Sequence, residues 1–471
     1  MSDIADLDAV TLAASIRDGR IGPREAVAAA LARIAARADS NAFITVCGES
    51  ARAEAAQAEA RLRDGGDLPP LLGVPFSVKD LTLTRGVRTT FGSRLFAEHV
   101  PSEDAVAVAR MRAAGAILIG KTTTPAFGHK AFTEGDLFGR TLNPWNPAVT
   151  CGGSSGGAAV AVRLGMAPLA LGSDGGGSIR IPASCCGVVG LKPTLGALPN
   201  LQAPDLFGAN SYVGPIARSV ADVALAWRVL RGPDPRDPYG QSPLPSRPAR
   251  PVAGLRVAWL PTCGSPAVDK QVATLTAAAA RRLAQLGAEV TEIRHDFAQL
   301  EPDFLVMLES GLAARLAGFL PARADEMDAS LLRSVELGLT HPATVLQRAA
   351  AARSKAFRRL QTEVFARFDL LLSPTLTAPP LPVGQDPHGR VTIAGTDCGT
   401  VRGGWYPFTF PLNLTGHPAL SLPCGLTTEG LPVGLQIAAP WHEEETILGV
   451  AAALEQVLAF DGTRAGAGIT P

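Results

Sequence analysis

The chain has 471 residues, 46% hydrophobic and 18% charged, and its 43 lysines and arginines match its 43 aspartates and glutamates. A charged fraction below the roughly one quarter usual for globular chains points to a large interior, and the zero net charge excludes a field that steers nucleic acid, an anionic membrane or an acidic substrate. The seven cysteines, of which only Cys185 and Cys186 adjoin, show neither the spacing of a zinc site nor a disulfide framework, which fits reduced thiols in a cytoplasm.

The first residues lack the basic and apolar regions of a secretory signal, so no export is expected. No apolar stretch of about 18 residues is free of charges and breakers, so no spanning helix is expected either. Residues 8–18 and 23–38 are alanine-rich with helical spacing, the second starting at Pro23, where a missing N–H does no harm. A short strand over 42–47 and a helix to about residue 62 follow. LLGVPFSVKD, residues 71–80, reads as an apolar strand ending on Lys79 and Asp80. Taken locally, Lys79 is a strand-end lysine that snorkels to solvent; a functional role needs evidence from elsewhere. A helix over 104–115 and a strand over 116–120 continue the alternation of an α/β sheet, and 121–150 reads as polar loop containing His129.

Beyond a helix over 219–230, seven prolines between Pro233 and Pro251 predict an extended surface connection, about 232–254, joining two halves of one sheet. Strand (255–260), helix (267–286) and strand (289–293) then repeat the α/β pattern, 301–368 reads as mostly helical and 369–373 as a strand. The stretch 374–406, rich in glycine, proline and threonine, is expected to be a long loop that contacts substrate. Strands over 419–423 and 432–437 and a closing helix from about 443 complete the chain.

The stretch richest in chemistry is CGGSSGGAAVAVRLGMAPLALGSDGGGSIR, residues 151–180. Glycines around a serine let backbone N–H groups approach a ligand, which suits a phosphate or a developing oxyanion. A phosphate loop would place a lysine after the glycines, or an acidic ribose partner downstream, and neither is present. The competing reading is nucleophilic catalysis at Ser178, with the N–H groups of Gly175, Gly176, Gly177 and Ser178 as the oxyanion hole. No histidine adjoins either serine motif, so the base must come from another part of the chain.

These residues resemble the amidase signature family, whose members use a Ser-cisSer-Lys triad. The resemblance covers nearly the whole chain: GVPFSVKD, LFGRTLNPWNP, GGSSGGAAVAV, GSDGGGSIRIPAS, VGPIARSVAD, FPLNLTGHPALSLPCG and GLPVGLQI. It places the three catalytic positions on Lys79, Ser154 and Ser178, at intervals of 75 and 24 residues. It implies a single α/β domain over residues 1–471 with a central mixed sheet covered on both faces by helices, a cis peptide before Ser154, no cofactor and no metal. The partner it implies is a small-molecule amide, with a homodimer as the expected assembly.

In the implied mechanism Ser178 attacks the carbonyl and Ser154 relays its proton to a neutral Lys79. An unperturbed lysine is neutral in only about one molecule in a thousand near pH 7.4, a penalty of roughly 4 kcal/mol unless burial lowers its pKa. Ser155 either supports this network or caps the following helix. Asp174 and Arg180 read as an ion pair bracing the nucleophile loop, and Cys151 as a small buried filler. His129, where some relatives have methionine, either contacts substrate or has no chemical role. Gly175 departs from the threonine of many members, losing a hydroxyl but keeping the backbone donor. The resemblance extends to the tRNA amidotransferase component that delivers ammonia to another protein, but residues 196–219 lack that component's S-S-L-D-Q-I-G-P pattern, which favours a free-standing hydrolase. A non-catalytic binding protein on the same scaffold conflicts with retention of all three triad residues.

Overall fold

Period-two alternation along the strands sends successive side chains to opposite faces, and both faces here are apolar. The structure, a computed structural model, describes residues 3–208, 210–240, 247–458 and 460–465. In chain order the strands are β1 (Phe43–Val46), β2 (Pro75–Lys79), β3 (Ile117–Thr122), β4 (Glu134–Gly135), β5 (Gly139–Arg140), β6 (Leu169–Asp174), β7 (Val189–Lys192) and β8 (Tyr212–Ala217). They continue with β9 (Arg256–Trp259), β10 (Glu289–Glu292), β11 (Leu370–Pro374), β12 (Arg390–Ile393), β13 (Thr396–Thr400), β14 (Ala419–Leu426) and β15 (Pro432–Ala438). Eleven of them form one sheet in the order β1-β3-β2-β6-β8-β7-β14-β15-β11-β9-β10.

Pairing is parallel on both sides of β2 and of β9 and antiparallel from β6 across to β11, so the sheet is mixed. Phe76 and Val78 of β2, Leu169 and Leu171 of β6 and Leu435 and Ile437 of β15 enter one buried cluster, with the helices Val106–Ala113, Val220–Leu230, Lys270–Gln285 and Glu444–Val457. Ile117 and Ile119 of β3 and Ala170 of β6 enter a second cluster on the opposite face, with Pro23–Ala36, Gly48–Asp64, Gly156–Arg163 and Arg180–Cys186. The result is a single large α/β domain. Part of the proline-rich connection, residues 241–246, lies outside the described residues.

Two expectations are corrected. The stretch 374–406 is not a structureless loop: β12 and β13 pair as a hairpin and the helix Val401–Trp405 follows. Val391, Ile393, Cys398 and Val401 turn inward there, a pattern too short to stand out among glycines and threonines. Nor does the polar loop start at residue 121. Lys121 lies fully buried near the end of β3, its Nζ donating to Thr82 O at 2.6 Å, Thr84 Oγ1 at 2.9 Å and Thr89 Oγ1 at 2.8 Å.

The helix Gly156–Arg163 lies against the end of β3 because its second residue has no side chain. A Cβ on Gly157 would stand 2.3 Å from Thr123 Oγ1 and 2.5 Å from Thr123 N. Gly157→Ala is therefore expected to destabilise the fold by about 1–3 kcal/mol, read as a lower urea midpoint with an unchanged slope.

Candidate active site

Alternation along β2 decides which way Lys79 faces. Phe76 and Val78 point into the first cluster, so Lys79 points to the other face, where the glycine-serine helix Gly156–Arg163 packs. The strand is flanked on both sides, by β3 and β6, and the side chain is 0% exposed. The snorkelling lysine expected from the local sequence is thus corrected: a central strand offers no route to solvent. Lys79 Nζ lies 2.7 Å from Ser154 Oγ and 3.3 Å from the carbonyl oxygen of Ser173. Burial pushes the amine well below the usual lysine range, and the charge of Asp174 opposes this only in part. Two neighbouring oxygens and no paired carboxylate suit a neutral amine, which donates to one and accepts from the other.

Ser154 follows the cis Gly153–Ser154 peptide, in the turn before the helix. Thr133 holds this turn, its hydroxyl donating to Gly152 O at 2.8 Å while accepting from Gly156 N–H at 3.0 Å. Ser155 occupies the helix N-cap position, but its side chain makes no capping bond. Its hydroxyl instead donates to Ser173 O at 3.0 Å and accepts from Ser173 N–H at 3.2 Å, and its own N–H donates to Ser178 O at 3.1 Å. A Cβ on Gly172 would stand 3.1 Å from that hydroxyl, so the glycine of β6 makes room for the bridge. One serine loop is thereby tied to the other.

Ser178 and Gly175 are partly exposed, whereas Lys79, Ser154, Asp174 and Arg180 are buried. Gly177 N–H donates to Asp174 Oδ1 at 2.6 Å, while among the described residues the N–H groups of Gly175, Gly176 and Ser178 donate to nothing within the chain. Asp174 and Arg180 meet at 3.0 Å with both side chains 0% exposed. Arg180 also donates to Thr409 O at 3.0 Å, Gln436 Oε1 at 2.8 Å and Asn413 Oδ1 at 2.7 Å, and Asn413 Nδ2 returns to Asp174 O at 2.7 Å. Burial alone would raise the Asp174 carboxyl, but the Arg180 guanidinium holds it well below the usual carboxylate range.

His129 is drawn into a different network. Its Nδ1 lies 2.7 Å from Ala126 O and its Nε2 2.7 Å from Ser330 Oγ, and burial, helped by the charge of Lys130, lowers it to about 4. Cys151 is buried, and burial pushes its thiol up to about 12. The neighbour of His129 is closer to the chemistry: a Cβ on Gly128 would stand 2.9 Å from Ser154 Oγ. Gly128, Thr133, Thr409, Asn413 and Gln436 received no role from the sequence, although FPLNLTGHP contains Asn413 and directly follows Thr409. No cluster of three metal-binding side chains occurs among the described residues.

Known proteins resemble the chain over nearly its whole length. The Amidase family profile matches residues 25–448. An acylamidase of Rhodococcus erythropolis is 36% identical, over 96% of this chain and 95% of that protein. The A component of the glutamyl-tRNA(Gln) amidotransferase of Synechococcus sp. (strain WH7803) is 35% identical, over 97% of this chain and 98% of that protein. The crystal structure of a bacterial aryl acylamidase of the amidase signature family superposes with a TM-score of 0.91 at 28% identity, covering 99% of each chain.

Because the Arg180 guanidinium is fully buried, removing its counter-charge leaves it uncompensated. Asp174→Asn is expected to cost about 3–5 kcal/mol in chemical denaturation at pH 7. The sign with pH follows from the depressed carboxyl: its contribution is fully present above the ordinary aspartate pKa of about 3.9 and is lost as pH falls toward the folded value. The gap between the two proteins should therefore narrow in acid.

Proposed function

The chain belongs to the amidase signature family and is an amidohydrolase; we propose that it cleaves a carboxylic amide through an acyl-enzyme on Ser178, as a free-standing enzyme or a dimer of itself. The observation that carries this reading is the fully buried Lys79 amine 2.7 Å from Ser154 Oγ, with the partly exposed Ser178 tied through its carbonyl oxygen to the N–H of the adjacent Ser155 at 3.1 Å. A neutral Lys79 accepts the Ser154 proton while Ser154 accepts that of Ser178. Ser178 Oγ then forms a bond to the amide carbon, and the carbonyl electron pair moves onto oxygen. The N–H groups of Gly175, Gly176 and Ser178 stabilise that oxyanion; Gly177 N–H, committed to Asp174, braces the loop instead. As the C–N bond breaks, Ser154 passes a proton to the leaving amine, and water releases the carboxylate by the same relay in reverse.

The acylamidase relatives support N-acylated aryl amines as substrates, and no helix among the described residues is long and apolar enough to cross a membrane. The amidotransferase relatives support a second reading in which the chain works with dissimilar subunits. The absent S-S-L-D-Q-I-G-P pattern weighs against it.

The purified chain alone is expected to release aniline from simple anilides; turnover only with added amidotransferase partners would favour the second reading. A phosphonylating serine probe should label the peptide containing Ser178, and Ser178→Ala should abolish both labelling and turnover. Since the base must be neutral, kcat/KM should rise with pH through an ionisation well below the ordinary lysine value of about 10.4, and Lys79→Ala should remove activity together with that limb.

A further inference from the structure

We propose that the cleft selects amides whose acyl half carries a carboxylate, and that Arg402 is the residue that receives it. This rests on the amidase reading above and specifies its substrate class. Arg402 sits in the helix Val401–Trp405, its guanidinium 5.1 Å from the ring centre of Phe304 and 5.5 Å from that of Tyr406. The Phe304 ring backs the loop of Ser178, and the Tyr406 backbone is joined to it through Thr409. A Cβ on Gly176 would stand 2.8 Å from Phe304 Cζ, and the Thr409 hydroxyl lies 2.7 Å from Gly176 O and 3.0 Å from Tyr406 O.

Two buried cations near the site have acceptors: Arg180 has Asp174, and Lys130 has Asp328 at 3.1 Å. Arg402, only partly exposed, has neither a side-chain hydrogen bond nor an ion pair among the described residues. Glu301 turns its carboxylate to the start of Arg402's own helix, where Oε1 accepts from Gly403 N–H at 3.1 Å and from the Thr400 hydroxyl. Tyr406 adds a second unused donor: the residue is 4% exposed and its hydroxyl makes no hydrogen bond among the described residues. A planar guanidinium held on aromatic faces, with a phenol beside it, matches the geometry of a carboxylate.

Position assigns the carboxylate to the acyl half. The leaving amine must face Ser154, whose hydroxyl borders Gly128, whereas the wall carrying Arg402 backs Gly176 on the other loop. Gly175 leaves open space beside that loop, with nothing within 4 Å of where its Cβ would be. The substrates favoured are thus half-amides of dicarboxylic acids.

The test compares glutaranilate with valeranilide, its neutral counterpart, and N-acetyl-4-aminobenzoate with acetanilide. One charge-assisted contact predicts a preference of about tenfold or more in kcat/KM for glutaranilate over valeranilide in the wild type. Arg402→Gln should bring that ratio close to one, chiefly through KM, Arg402→Lys should retain part of it, and Arg402→Glu should shift preference to the cationic 6-aminohexananilide. A wild-type ratio near one, or a ratio unchanged in Arg402→Gln, overturns the proposal. An Arg402-dependent preference for N-acetyl-4-aminobenzoate instead overturns the placement on the acyl half. Calorimetric binding of glutarate reads Arg402 without turnover: it should weaken in Arg402→Gln. If no anilide is hydrolysed yet glutarate binds in an Arg402-dependent way, the anilide-hydrolase reading fails and the anion site stands; if glutarate does not bind, the site fails.

Discussion

An amine serves as the base proposed above only when neutral, and the architecture around Lys79 keeps it from water. Placing the lysine on a central strand removes the solvent that stabilises its charge. Placing it on the face opposite Phe76 and Val78 brings it under the glycine-serine turn. Burial alone would leave a polar group unsatisfied, and the hydroxyl of Ser154 and the carbonyl of Ser173 meet that need. The Ser155 hydroxyl then binds the backbone of the same Ser173, so the base and both serine loops share one residue of β6.

A second buried charge is treated in the opposite way. Arg180 is surrounded by acceptors from Asp174, Asn413, Gln436 and Thr409. Its partner Asp174 fixes Gly177, so the pair sets the shape of the nucleophile loop without entering the reaction. Lys79 and Arg180, both fully buried, thus differ in their partners: Arg180 has a carboxylate at 3.0 Å, and Lys79 has only a hydroxyl and a carbonyl oxygen.

Much of this was legible in the chain. The glycine-flanked serines, the strand-end lysine and the α/β alternation are local signals with defined spacing, and the resemblance to a family joined them into one site. What local pattern could not show was direction: LLGVPFSVKD reads the same whether its lysine points to solvent or to a serine 75 residues on, and only the neighbours on both sides of β2 decide. The hairpin within 374–406 was hidden for a different reason, since β12 and β13 are four and five residues long and carry few apolar side chains. The side chains that surround Arg180 were hidden by distance. His129, conspicuous in the sequence as the histidine nearest the serines, is spent on Ala126 and Ser330.

That distance has a consequence for the order in which the protein is made. Lys79, Ser154 and Ser178 all lie in the first two fifths of the chain, yet three of the acceptors of Arg180 lie 229, 233 and 256 residues beyond it. A chain made only as far as Ser178 therefore contains the Asp174 partner of Arg180 but none of these three acceptors. The full set of partners around Arg180 is present only once Gln436 of β15 has been made, so the last strand of the sheet completes the bracing of a loop encoded more than 250 residues earlier.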